Sequence, residues 1–158
     1  MSERDRKQEL HDQIVTARQM VLVSISSLTP EQLEQPTPNE GWSAKDTLAH
    51  LTSIESRLRR MWQHALEGRE WPTEETDIHT YNAACVAERK NWYLRDLVEE
   101  LDHTGEETLN FLEGLDPADL DRKWRHPTRG EVTLEALIRI VPRHLESHAA
   151  EINAAVGT

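Results

Sequence analysis

The chain predicts an all-α fold, a four-helix bundle held in one domain, on three observations. Four long segments repeat their apolar residues at the helical period of about 3.6. The breaks between them carry proline, glycine and capping residues, and no run alternates as a strand does. The length, 158 residues, suits a single domain over 1–158 that can bury a core without staples.

The first helix is expected from about Glu3 to Leu28, with Leu10, Ile14, Ala17, Val21, Ile25 and Leu28 on one face. Thr29-Pro30-Glu31-Gln32 then reads as a new start: threonine caps, proline fits the first position, and Gln32 completes a capping box. That piece is short, because Pro36-Thr37-Pro38 stops it. Ser43, with Asp46 three residues on, announces the second long helix, which carries Leu48, Leu51, Ile54, Leu58, Met61, Trp62 and Ala65 and ends near Gly68.

Arg69 to Ile78 reads as a loop around Pro72. A third helical region runs from about His79 to Leu115, with an interruption expected near Asn91 to Leu94. Asp116-Pro117-Ala118-Asp119 is a second short capped turn, Trp124 to Val132 reads as a loop, and Thr133 caps the last helix. The order long helix, short capped helix, loop, capped helix occurs twice, so the chain reads as two similar halves. Four amphipathic helices imply a four-helix bundle with two long crossover connections.

The last helix holds the chemistry. Its stripe is Leu134, Leu137, Ile138, Val141, Leu145, Ile152 and Val156. His148 projects near the centre of that stripe and His144 on its flank, four residues apart and so on one face. A buried polar group without a partner is costly, and a metal ion is the partner that explains a pair. His50, at the edge of the second helix's apolar arc beside Ile54, is the candidate third ligand. Three neutral imidazoles leave coordination positions for water or substrate. His11, His64, His79, His103 and His126 fall on charged faces, helix edges or loops and read as solvated or locally bonded. Pro142, just before His144, is either a tolerated kink or a device that re-aims the two histidines.

Glu55 falls inside the apolar arc of the second helix. It reads as the partner of an arginine on a neighbouring helix, as an orienting group for a metal-bound histidine, or as a base. Asn82 and Arg89 share a face around Val86 and are candidates to contact an anionic cofactor. Trp42, Trp62, Trp92 and Trp124 read as core and loop anchors. Cys85, the only cysteine, excludes an internal disulfide and reads as a small core residue, with a catalytic thiol as the alternative. No Ser-His-Asp arrangement or glycine-rich phosphate loop is present.

The net charge of −11 argues against nucleic acid and against anionic membrane surfaces as partners. The N-terminal MSERDRKQEL lacks a signal peptide's apolar run, and no stretch approaches the ~20 apolar residues of a membrane span. A cytoplasmic location is the default expectation.

Three motifs in order carry a resemblance to a known family. Gly41-Trp42-Ser43-Ala44-Lys45-Asp46-Thr47-Leu48-Ala49-His50-Leu51 resembles the second-helix signature of the DinB-like (YfiT-like) metalloenzyme superfamily. His144-Leu145-Glu146-Ser147-His148 resembles its H-x3-H on the last helix, and Asn82 to Arg89 the start of its third. The likeness covers about residues 10 to 156. It implies an antiparallel bundle, a homodimer, and a divalent metal, zinc or nickel, on His50, His144 and His148. It also implies a small-molecule substrate and a thiol S-transferase using bacillithiol, mycothiol or glutathione, with the thiolate as nucleophile. The near rival is a metal-dependent hydrolase in which Glu55 or Glu146 assists as base, and the third reading is a non-catalytic binding or stress-response bundle.

Overall fold

The computed structural model describes every residue except 27, 40, 76 and 158. Among the described residues the order is α1 (Glu3–Ile25), α2 (Pro30–Leu33), α3 (Ala44–Glu67), α4 (Ile78–Glu88), α5 (Leu94–Glu113), a 3-10 turn (Pro117–Asp121), β1 (Lys123–His126), β2 (Gly130–Thr133) and α6 (Leu134–Val156). The four long helices α1, α3, α5 and α6 form the bundle. Several helix starts carry side-chain caps. Ser2 with Asp5, Thr29 with Gln32, and Ser43 with Asp46 each close a capping box, and Thr133 accepts from the Ala136 amide. Gly68 ends α3 in the left-handed conformation (φ 67°) that only glycine adopts without cost. Helix α1 closes at Ile25, short of Leu28, and position 27 of the expected helix lies outside the described residues.

Side-chain contacts give the direction of each helix. Arg6 meets Glu135 and Gln13 meets Arg139, so α1 and α6 run parallel. Lys7 reaches the carbonyls of Glu113 and Leu115 while Arg18 reaches that of Leu101, so α1 and α5 run antiparallel. Helices α3 and α6 are antiparallel. The bundle therefore pairs α1 with α6 in one direction and α3 with α5 in the other. Two helices that follow one another and run the same way need a return path between them. The segment containing α4 supplies it.

The apolar stripes meet in one core. Leu10, Ile14, Ala17, Val21 and Ile25 of α1 are buried against Leu48, Leu51, Trp62, Leu97, Leu101, Leu134, Ile138 and Ile152. Helix α6 runs unbroken through Pro142, which is itself buried. No helix is long and apolar enough to cross a membrane.

The stretch Trp124 to Val132 departs from the expected loop: it is most of a two-stranded antiparallel hairpin, with Trp124 facing Val132 and His126 facing Gly130. Four-residue strands are too short for alternation to show in the sequence. Long-range contacts decide it instead. The Trp124 ring is buried and its Nε1–H donates to the Arg69 carbonyl at 2.7 Å, pinning the hairpin to the loop that follows α3.

Candidate metal centre

The antiparallel contact of α3 with α6 brings His50 against His144 and His148. The His144 Nε2 lies 3.1 Å from His50 Nε2 and 3.0 Å from His148 Nε2. All three donor atoms fall within 4.8 Å of one another. Two ligands each about 2.0 Å from a tetrahedral ion stand about 3.3 Å apart, so the spacing is close to that of a ligand set. Hydrogen bonding alone accounts for it poorly, since a single Nε2–H on His144 can serve only one of its two neighbours.

Each ring is held. The His148 Nδ1 lies 2.7 Å from Glu151 Oε2; with the carboxylate accepting the Nδ1–H, the lone pair stays on Nε2, facing the cluster. His50 is 2% exposed, its ring packs on Trp42 with centroids 4.9 Å apart, and its buried Nδ1 has no hydrogen-bond partner among the described residues. Burial, reinforced by the neighbouring His144 and His148, pulls the His50 imidazole from 6.5 down to about 2. Burial and His148 pull His144 down to about 3. Both rings are thus neutral at pH 7, the form in which imidazole binds metal. A set of three neutral imidazoles suits a divalent first-row metal ion.

His144 also forms part of the wall of a cleft of about 780 Å³. The cleft is bounded by α3, by the loop after it, by the start of α4 and by the hairpin turn. The cluster therefore lies at the edge of a cavity large enough for a small molecule.

The other candidates divide. Asn82 lines the cleft. Arg89 is not among the lining residues; its guanidinium stacks on Trp92 at 4.9 Å and donates to the Cys85 carbonyl. Cys85 is a half-buried free thiol on α4. Glu55, 2% exposed, pairs with Arg18 of α1 at 3.0 Å, accepts from Thr108 of α5, and does not line the cleft. The arginine partner weighed from the sequence is thus present. His11, His64 and His103 bond locally to Asp12, the Glu70 carbonyl and Glu107. His79 and His126, read as solvated or locally bonded, line the cleft as well. Sequence reasoning passed over Glu151, whose only signal is its place one turn after His148.

Known proteins resemble this chain in fold and in sequence. Over 133 residues, 83% of this chain and 74% of the relative, it is 28% identical to a Bacillus mycoides (strain KBAB4) protein named "putative metal-dependent hydrolase". The structure of YfiT from Bacillus subtilis, described as a probable metal-dependent hydrolase with an unusual four-helix bundle topology, superposes with a TM-score of 0.76 at 20% identity, covering 99% of this chain and 90% of that one. The colibactin self-resistance protein ClbS, solved in complex with dsDNA, gives 0.76 at 12% identity with 96% of each chain covered. That complex corrects the expectation that nucleic acid is excluded. Binding answers to the local potential and contacts of one surface, and a total charge of −11 does not decide them. The model of the DinB superfamily matches residues 13–152, and the chain belongs to that superfamily.

Proposed function

We propose that the protein is a metal-dependent enzyme acting on a small molecule in the cleft beside His144, with His50, His144 and His148 holding a divalent ion, zinc or nickel. The observation that carries this reading is the convergence of three Nε2 atoms beside an open cavity. A bound ion supplies Lewis acidity there and lowers the pKa of a coordinated water or thiol. The protein's own groups do the rest. Glu151 keeps the His148 lone pair aimed inward, and Trp42 covers His50. The likeness to proteins described as metal-dependent hydrolases supports water as the nucleophile.

A second reading, a thiol S-transferase using bacillithiol, mycothiol or glutathione, is favoured by one observation. Among the described residues no carboxylate joins the three histidines as a ligand. A coordinated thiol is deprotonated outright and needs no separate base. The homodimer carried over with the family is read from the mass in solution.

The test begins with metal content. Protein purified without a histidine tag is expected to hold about one equivalent of zinc or nickel, and His148→Ala to lose most of it while keeping its helical circular dichroism. Substoichiometric metal, unchanged by the substitution, would overturn the reading. Ester and amide hydrolysis assayed beside thiol conjugation then separates the two enzymes.

A further inference from the structure

The cleft beside His144 has a mixed lining. Ile54, Leu58, Met61, Trp71 and Ile140 give it apolar surface. The hairpin turn contributes Arg125, His126 and Arg129. Among the described residues the side chains of Arg125 and Arg129 make no ion pair and no hydrogen bond, although both line the cavity. Both are exposed, as are Arg4 and Arg143, which likewise make no ion pair among the described residues. Arg6, Arg18, Arg59, Arg60, Arg122 and Arg139 all have one.

Two of the three acids at the cleft have partners of their own, and the Glu70 carboxylate has none among the described residues. Glu75 is held by Arg60 and by Arg57 at 3.8 Å. Asp77 is occupied with capping α4, accepting from the amides of His79 and Thr80 and from the Thr80 hydroxyl. Glu70 comes from the loop after α3 and not from the hairpin.

The turn also orients a neutral donor. The His126 Nδ1 accepts from the backbone amides of Thr128 at 3.1 Å and Arg129 at 3.2 Å. An Nδ1 that accepts carries no proton, so the neutral ring carries it on Nε2. Burial and then Arg129 hold this imidazole below its ordinary value, which keeps it in that neutral form. The hairpin turn thus brings two unpaired guanidinium groups and one imidazole N–H donor to a cavity that also has apolar lining from Met61, Trp71 and Ile140.

We propose that this turn is the recognition element for an anionic group, a carboxylate or a phosphate ester, on a small and otherwise apolar substrate. Arg125, Arg129 and the His126 Nε2–H take the anion, and the wall of Met61, Trp71 and Ile140 takes the body. The inference rests on the metal-dependent reading only in saying that the reacting group then faces His144. The planar guanidinium fork matches the oxygens of carboxylates and phosphates bidentately, and its contacts to charged acceptors are stronger than neutral ones.

Equilibrium binding of three matched probes tests it: phenylacetate, phenyl phosphate and methyl phenylacetate, titrated calorimetrically into the protein as purified. One or both anions are expected to bind about tenfold tighter than the neutral ester, the size of a partly exposed charge-assisted contact. In the Arg125→Gln, Arg129→Gln double variant that preference is expected to collapse, with ester affinity and metal content unchanged. Phenylacetate against phenyl phosphate tells a carboxylate site from a phosphate site. An anion preference that survives the double variant would assign recognition to another group, such as the bound ion, and would overturn the proposal while leaving the metal reading intact. Equal affinity for ester and anions, or no anion binding at millimolar concentration, would overturn it too. If the protein holds no metal, the preference and its loss are still read directly from binding.

Discussion

Three histidines on two helices could be picked out of the sequence because a ligand must face inward, and an amphipathic helix announces which positions do. His148 at the centre of its stripe and His50 at the edge of its own are both buried, as their projections require. Glu151 carries no such mark. It reads as one of many charges on a solvated face, and only the 2.7 Å approach to His148 Nδ1 gives it a role. Carboxylates placed this way raise ligand basicity and fix the ring, and their loss typically costs tenfold to a hundredfold in metal affinity. Glu151→Gln is therefore expected to weaken zinc binding by about that factor, measured by competition with a chromophoric chelator, with little change in thermal midpoint for the metal-free protein. Unchanged zinc affinity would leave Glu151 without a part in the site. Glu55 shows the converse: a carboxylate inside an apolar arc, legible as buried, whose partner could be named only as some arginine. Arg18 of α1 is that partner.

The elements show why that ion pair depends on a third helix. Arg18 is 8% exposed, and α5 makes room for its guanidinium at Gly105, where an added Cβ would lie 2.5 Å from Arg18 Cζ. Alanine for glycine inside a helix ordinarily stabilises by about 0.5–1 kcal/mol. Here it displaces a buried charge from its partner, for which about 3 kcal/mol of destabilisation is the expected scale. Gly105→Ala is thus expected to lower the urea midpoint, and a midpoint that rises would show that Arg18 can move without breaking its pair with Glu55. Helices and their caps were legible because each is local: Ser43 needs only Asp46, and Thr133 only the Ala136 amide. The hairpin was not legible, because its two short strands are stabilised by a tryptophan whose hydrogen-bond partner lies 55 positions away in the chain.

At the scale of the whole molecule, the bundle places the site by crossing α3 antiparallel to α6, and the same crossing buries two imidazoles in neutral form. The sign of the resulting pH dependence is clear. His50 and His144 have folded values of about 2 and about 3 against 6.5 in an unfolded chain. Below pH 6.5 the unfolded chain therefore takes up protons that the folded chain refuses. Metal-free protein should hold its full stability above that pH and lose it progressively on acidification, by up to about 1.4 kcal/mol per pH unit for each ring. Chemical denaturation between pH 7 and pH 4 (roughly the window that brackets ordinary histidine titration) is the measurement, and a stability that stays flat there would contradict the burial. The sequence by itself determined where the long helical segments lie, the capped starts at Ser43 and Thr133, which face of each helix is apolar and which three histidines face inward, since period and capping act over four residues or fewer. Only the tertiary structure decided that α1 and α6 run parallel, that the stretch from Trp124 is a hairpin, that Glu151 holds His148 and Arg18 holds Glu55, and that two unpaired arginines line the cleft. Those facts depend on residues far apart in the chain meeting in space, which packing settles and local pattern does not.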